Sequence, residues 1–158
     1  MKRLAASLAL LAAPSFALAD PLPKTGTVTH AAYTVCRSLG GIDLGEVGSD
    51  SSADCVGVVK TKDGVKPLDN LAVHCLEAST ARKVGYKFTG TCVETDSDGD
   101  KFYLVYEGPE SGPLDVLGGT GKFKGMSGKG HWSVTDAPGN NANLFVFTLD
   151  YTFDWKID

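Results

Sequence analysis

The residues from Leu144 to Trp155 set the tightest limit on what this chain can become. Phe145, Phe147, Leu149, Tyr151, Phe153 and Trp155 occupy every second position, and Thr148, Asp150, Thr152 and Asp154 fall between them, with Lys156 continuing the polar set. Side chains of a β-strand alternate between faces, so this pattern predicts a strand with one apolar and one wetted face. Shorter runs rich in β-branched and aromatic residues repeat the pattern upstream: Thr27 to Arg37, Cys55 to Lys60, Leu71 to Glu77, Val84 to Thr95, Lys101 to Glu107, Leu114 to Leu117 and His131 to Asp136. No segment carries a convincing helical period. Turn chemistry separates the runs. Ser38 to Asp54 is rich in Gly, Ser and Asp around a short apolar piece, Ile42 to Val47, and Gly48 to Ser52 reads as a loop. Lys62-Asp63-Gly64, Ala78 to Lys83, Asp96 to Gly99 and Ala137 to Asn141 read as turns. Gly108 to Pro113 reads as loop because proline cannot donate to a ladder. Short strands divided by such turns predict an all-β barrel or sandwich.

The first residues belong to a different grammar. Met1-Lys2-Arg3 is basic, Leu4 to Leu18 is apolar and broken by Pro14, and Ala17-Leu18-Ala19 is an A-x-A cleavage site. These are the three regions of a secretory signal peptide, predicted over 1–19, with the mature chain, 20–158, sized for a single domain. The apolar run is too short for a membrane span and no second one follows. Formal net charge is −4, and losing Lys2 and Arg3 takes it to −6. That balance disfavours nucleic acid and anionic membrane surfaces as partners. The expected location is the periplasm or the medium.

Cys36, Cys55, Cys75 and Cys92 make an even set, which in an exported chain suggests disulfides. Three pairings are possible. Cys36–Cys55 and Cys75–Cys92 are favoured because each joins neighbouring strands. No C-x2-C spacing supports a metal site.

Glycine recurs at 118, 119, 121, 125, 128 and 130, within Gly118 to Trp132. A phosphate-binding reading fails on the residues. Gly128-Lys129 is followed by Gly130 and not Ser or Thr, position 123 is Phe, position 124 is Lys, and a strand, not a helix, comes next. The alternative is a sharp corner between strands, with Gly118, Gly119, Gly121 and Gly125 supplying unusual backbone angles and Phe123 anchored in the core. Lys122, Lys124 and Lys129 would then face solvent. The run Gly118-Gly119-Thr120-Gly121-Lys122-Phe123-Lys124-Gly125 resembles the G-G-T-G-x-F-x-G signature of the allene oxide cyclase-like barrels, a group related to the plant dirigent proteins. A second run, Gly90 to Lys101, resembles the G-x-C-x-x-T-D-x-D-G-D-K segment of small secreted bacterial members. The resemblance implies an eight-stranded antiparallel barrel with an apolar interior. Plant members act on oxidised fatty acids or phenolic radicals. The shared motif is a barrel-closing turn, so activity does not come with it, and no catalytic residue of the plant enzymes matches a position here.

The remaining motifs each have a plain structural explanation. Asp96-Ser97-Asp98-Gly99-Asp100 has the spacing of a calcium loop with Glu107 twelfth, but Lys101 holds the sixth place, where an EF-hand needs glycine. A hairpin turn accounts for the same residues. His30, His74 and His131 all fall in predicted strands and lack short ligand spacing, so no metal is expected. Ser127 lacks the glycine at 129 that a nucleophile elbow requires, and paired cysteines leave no thiol nucleophile. Tyr103, His131, Trp132, Phe145, Phe147 and Tyr151 are the candidate ligand-lining residues, with His131, beside Trp132, placed at a barrel mouth. The expected function is binding of a small apolar molecule with no cofactor. The rivals are a cyclase or isomerase acting on a lipid-like or phenolic substrate, and a filled structural barrel. A buried acid on the inward face of a strand would favour the enzyme, and a lumen lined only by Phe, Leu, Val and Tyr would favour binding.

Overall fold

A computed structural model describes residues 22–140 and 143–158, with only the backbone of Asn140. The leader predicted over 1–19 lies outside the described residues. Eight strands follow one another around a closed barrel: β1 (Thr25–Asp43), β2 (Gly48–Thr61), β3 (Leu71–Arg82), β4 (Gly85–Thr95), β5 (Lys101–Gly108), β6 (Ser111–Gly119), β7 (Met126–Asn140) and β8 (Leu144–Ile157). Every neighbouring pair is antiparallel, and β8 closes on β1 from Thr25↔Lys156 to Arg37↔Leu144. Closure leaves no sheet edge unpaired.

The strands run longer than their composition suggests. Gly48 to Ser52 is not a loop: Asp50 pairs with Ile42 on one side and Thr80 on the other, so two neighbours hold a polar segment extended. Ala78 to Arg82 continues β3 against β4 instead of turning. Gly112 and Pro113 stand in β6 opposite Trp132 and His131 of β7. The β5–β6 ladder ends at Tyr106↔Leu114, so Pro113 sits where the ladder runs on its β7 side only. Ala137 to Asn140 likewise belongs to β7, with register shifts between Val134 and Asp136 and between Asp136 and Gly139. Most of the glycine-rich segment is strand too. Only Gly121–Phe123 forms a short 3-10 turn, and β7 starts at Met126.

The two disulfides are Cys36–Cys55 and Cys75–Cys92. Cys36 opposes Cys55, Cys55 opposes Cys75, and Cys75 opposes Cys92, so all four form one row across β1 to β4. All four are buried. Two cross-strand disulfides suit an oxidising environment. Among the described residues no helix is long and apolar enough to cross a membrane.

One end of the barrel is filled. Val28, Leu68, Leu71, Phe102, Phe123, Met126, Phe153 and Trp155 are almost wholly excluded from solvent there. Phe102 meets Phe123 edge to face at 5.3 Å between ring centres and Phe153 at 5.9 Å. The Trp155 indole N–H donates to the Pro23 carbonyl at 3.1 Å, tying the entering chain over this end. Here the two segments that carry the family resemblance lock together. Lys101 N–H donates to Thr120 Oγ1 at 2.9 Å, Thr120 N–H to the Lys101 carbonyl at 2.7 Å, and Lys122 N–H to the Asp100 carboxylate at 3.1 Å. Gly121 has φ of +51°, and a Cβ there would lie 1.7 Å from an Asp100 carboxylate oxygen, so only glycine lets the corner dock.

Candidate functional site

The other end of the barrel is open. A cavity of about 370 Å³ lies inside it, within the usual range for small-molecule sites. Phe88, Trp132, Phe145 and Phe147 form its apolar walls, and Ser38, Ser51, Tyr86, Glu110 and Ala137 stand at its exposed rim. Phe145 and Phe147 stack at 6.1 Å between ring centres, and Trp132 meets Tyr106 at 4.9 Å. The Trp132 indole N–H donates to the Glu107 carbonyl at 3.1 Å, which fixes its ring.

Two glutamates point into the barrel. β3 alternates regularly, burying Leu71, Val73, Cys75 and Glu77 and exposing Ala72, His74 and Leu76. The strand therefore places an acid inside and leaves Leu76 58% exposed outside, the reverse of ordinary patterning. Glu77 lines the cavity and is only 6% exposed. The Tyr106 hydroxyl donates to its Oε1. Gly90 of β4 makes room for this pair, since a Cβ there would stand 2.3 Å from the Tyr106 ring. Burial raises the Glu77 carboxyl above its ordinary value, with the Tyr106 hydrogen bond partly offsetting the shift. Burial and the Glu77 charge together raise the Tyr106 hydroxyl.

Glu94 of β4 repeats the arrangement deeper in. It is buried, and the Tyr151 hydroxyl donates to its Oε1. Its Oε2 has no partner. Desolvation pushes this carboxyl up to about 8, against the Tyr151 hydrogen bond, so it is largely protonated at neutral pH. Deeper still, His30 is fully buried, its ring 4.9 Å from that of Tyr151. Its Nε2 lies 2.9 Å from the Leu68 carbonyl, which can only accept, so Nε2 carries the proton. Burial lowers His30 to about 4 despite that bond.

The predicted lining residues divide among these surroundings. Trp132, Phe145 and Phe147 line the cavity, and Tyr151 lies below it in the Glu94 pair. Tyr103 alternates outward from Phe102, Leu104 and Tyr106, and His131 is exposed on the outside of β7. The histidines do not converge. His30 is inside, while His74 is outside with Asp54 at 2.6 Å. Glu77 and Glu94 escaped the sequence reading, yet a signal was present. Each stands two residues after a cysteine, Cys75 or Cys92, and so shares the face of a buried disulfide.

The acidic turn is occupied by a side chain of the protein itself. Lys122 Nζ lies 2.6 Å from carboxylate oxygens of both Asp96 and Asp98 and 3.9 Å from Asp100. Lys122 is therefore not simply solvent-facing: its ammonium stands among the acids. The Asp96 carboxylate also accepts the backbone N–H groups of Asp98 and Asp100 at 2.8 and 3.0 Å, as expected of a hairpin turn.

No known family model matches the chain, and no curated protein matches its sequence. Solved structures do match its shape. The pterocarpan synthase dirigent protein GePTS1 superposes with a TM-score of 0.52 at 11% identity, over 87% of this chain and 94% of that one. The pterocarpan synthase dirigent protein PsPTS1 gives 0.51 at 10% identity, over 84% and 96%. The chain thus has a dirigent-like barrel. At this identity the likeness extends to the fold and not to the residues of the site.

Proposed function

We propose that this protein binds a small, mainly apolar molecule in the open end of the barrel, and that Glu77 with Tyr106 recognises one uncharged oxygen on it. The observation that carries this reading is the cavity of about 370 Å³ with aromatic walls and the buried Glu77–Tyr106 pair lining it. A buried carboxyl raised by desolvation can donate to a carbonyl or accept from a hydroxyl, and it repels an anionic head group. The likeness to pterocarpan synthase dirigent proteins favours an aromatic, phenolic ligand over a flexible acyl chain. No cofactor enters this reading. The leader-like first residues and the two disulfides support export to the periplasm or medium.

The buried acid favours a second reading, a cyclase or isomerase that uses Glu77 for proton transfer on the same molecule. A carboxyl with a raised proton affinity in an apolar cavity is suited to that task. A filled structural barrel fits less well, because the filled end accounts for only part of the lumen.

Native mass spectrometry of the protein purified from its own compartment tests the binding reading. A small adduct that leaves on harsh activation is expected. A bare mass under gentle conditions, together with no change of Trp132 fluorescence across a panel of phenols, sinks it. Glu77→Gln then separates the two activities: retained binding with lost turnover identifies the enzyme.

A further inference from the structure

The outer wall of the barrel is not uniform. On β8 the outward Thr152 and Asp154 stand abreast of Thr29 and Thr27 of β1 and of His131 and Lys129 of β7, and this flank is polar. Nearer the open end the same two strands β1 and β8 turn apolar. Val146, Val35 and Val56 stand abreast on β8, β1 and β2, Tyr33 and Val58 form the next row towards the filled end, and Leu76 of β3 adjoins them. All six are exposed, Val56 at 53% and Tyr33 at 52%. The usual pattern is inverted on three neighbouring strands. On β1 the outward Tyr33 and Val35 are larger and more apolar than the buried Ala32 and Thr34. On β2 the outward Val56 and Val58 flank Gly57, which shares the inward face of Cys55 and Val59. On β3 Leu76 is outside and Glu77 inside. Strands that turn their larger apolar side chains outward are built to be covered. Six such side chains, each about half exposed, present on the order of 500 Å² of apolar surface. That lies at the upper end of the roughly 300–600 Å² of the largest patch on a typical monomer.

We propose that this flank seats a second copy of the chain, in an isologous dimer whose two-fold axis runs along the β1–β2 ladder. Such an axis sets each β1 residue of one copy against its β2 ladder partner in the other. Val35 then meets Val56, and Tyr33 meets Val58. One strand further out β3 meets β8, and Leu76 meets Leu144, since both stand in the row of Arg37 and Asp54. Charge is complementary in the same register. Arg37 and Asp54 lie 3.5 Å apart at the edge of the apolar rows, and the axis gives each of them the opposite charge from the other copy. A lipid surface or a purely apolar partner would desolvate the two without offering a counter-charge. The face is also large enough. With Leu144, Arg37, Asp54 and His74 added it approaches about 800 Å², one side of an interface of standard size, and two sheets pack face to face about 10 Å apart. The inference uses neither the cavity nor Glu77, so it stands or falls apart from the ligand reading.

Sedimentation equilibrium of the full mature chain tests the proposal. Twice the mass of the mature chain is expected at about 100 µM, well above the Kd of an interface of standard size. A single-chain mass at that concentration overturns the proposal without recourse to any variant. Val56→Lys, at the centre of the face, is expected to weaken association by at least about 100-fold. His131→Lys, on the polar flank, is expected to leave it within about threefold. A dimer indifferent to Val56→Lys lies on another surface and overturns the face. Two charge reversals test the axis. Arg37→Asp alone and Asp54→Arg alone each set like charges against one another across the axis, so each is expected to weaken association by at least about tenfold. An equimolar mixture of the two variants restores opposite charges at both contacts and is expected to recover the dimer. Mixing cannot mend a fold or an ion pair within one chain, so recovery reports contact between copies. Single variants that associate like the wild type, or a mixture no tighter than its parts, overturn this dimer.

Discussion

The two ends of this barrel are built from the same strands and end in opposite states. β8 runs the whole way. Near the open end its Phe145 and Phe147 are half-buried, and near the filled end its Phe153 is 1% exposed among Phe102, Phe123 and Trp155. What distinguishes the ends is what covers them. A 3-10 turn lays Phe123 into the filled end, a second one over Lys66–Leu68 adds Leu68, and the entering chain adds Leu22. Among the described residues no comparable side chain caps the cavity end, where polar rim residues stand instead. The contrast separates stability from function along a single strand: the filled end holds the fold and the open end offers the cavity.

Paired truncations break or sharpen this division. Phe153→Ala removes a fully buried ring and is expected to destabilise the protein by about 3–5 kcal/mol. Phe147→Ala, three pleat repeats nearer the mouth, removes a half-buried ring over an existing void and is expected to cost under about 1.5 kcal/mol, in line with partial burial. Urea denaturation reads both. Ligand uptake should show the reverse ranking, with Phe147→Ala the more damaging. Equal stability losses would mean that the open end is filled in solution.

Acid–base behaviour also differs along the barrel, and the signs can be worked out. Glu94 is raised from 4.5 to about 8, so the folded protein holds a proton that the unfolded chain gives up. The stability it favours is present below 4.5 and is lost as pH rises towards 8. His30 is lowered from 6.5 to about 4, so the folded protein refuses a proton that the unfolded chain takes. The stability it favours is present above 6.5 and is lost as pH falls towards 4. Thermal melts across this range are expected to show a maximum between the two slopes. Glu94→Gln should flatten the alkaline slope and leave the acid slope in place. A variant whose alkaline slope matches that of the wild type would show that Glu94 is ionised in the native barrel.

The sequence makes the filled end more legible than the open one, for a physical reason. Phe145 to Trp155 alternate without a break, and a large apolar residue at every second place leaves only one face that can be buried. The strand extensions are obscure because pairing on both sides, not composition, holds Gly48 to Ser52 and Ala78 to Arg82 extended. The site is obscure because it breaks the pattern. Leu76 outward and Glu77 inward contradict binary patterning, and the phase of β3 is carried instead by Leu71, Val73 and the disulfide-bonded Cys75 on its buried face. The aromatic residues were visible, but Tyr103 and Trp132 cannot be assigned to opposite faces until the strand register is known.

The smallest effect belongs to the clasp outside the filled end. Lys122 stands among Asp96, Asp98 and Asp100, and those two acids nearest to it raise its ammonium above the ordinary value. Asp96 is almost buried there. Burial would raise its carboxyl, but the Lys122 and backbone hydrogen bonds outweigh that and hold it below the ordinary range. Lys122→Met keeps the stem that covers the turn and deletes the charge, leaving three carboxylates facing one another. The backbone N–H groups of Asp98 and Asp100 still serve Asp96, so the hairpin is expected to survive. The cost should be about 1 kcal/mol at low salt and should shrink as ionic strength rises, since the partly exposed acids are then screened. A melting series in sodium chloride measures this. A loss that is large and indifferent to salt would show that Lys122 closes the barrel by packing, and that the docking of the Gly118 to Gly125 corner on the acidic turn is part of the core and not a clasp upon it.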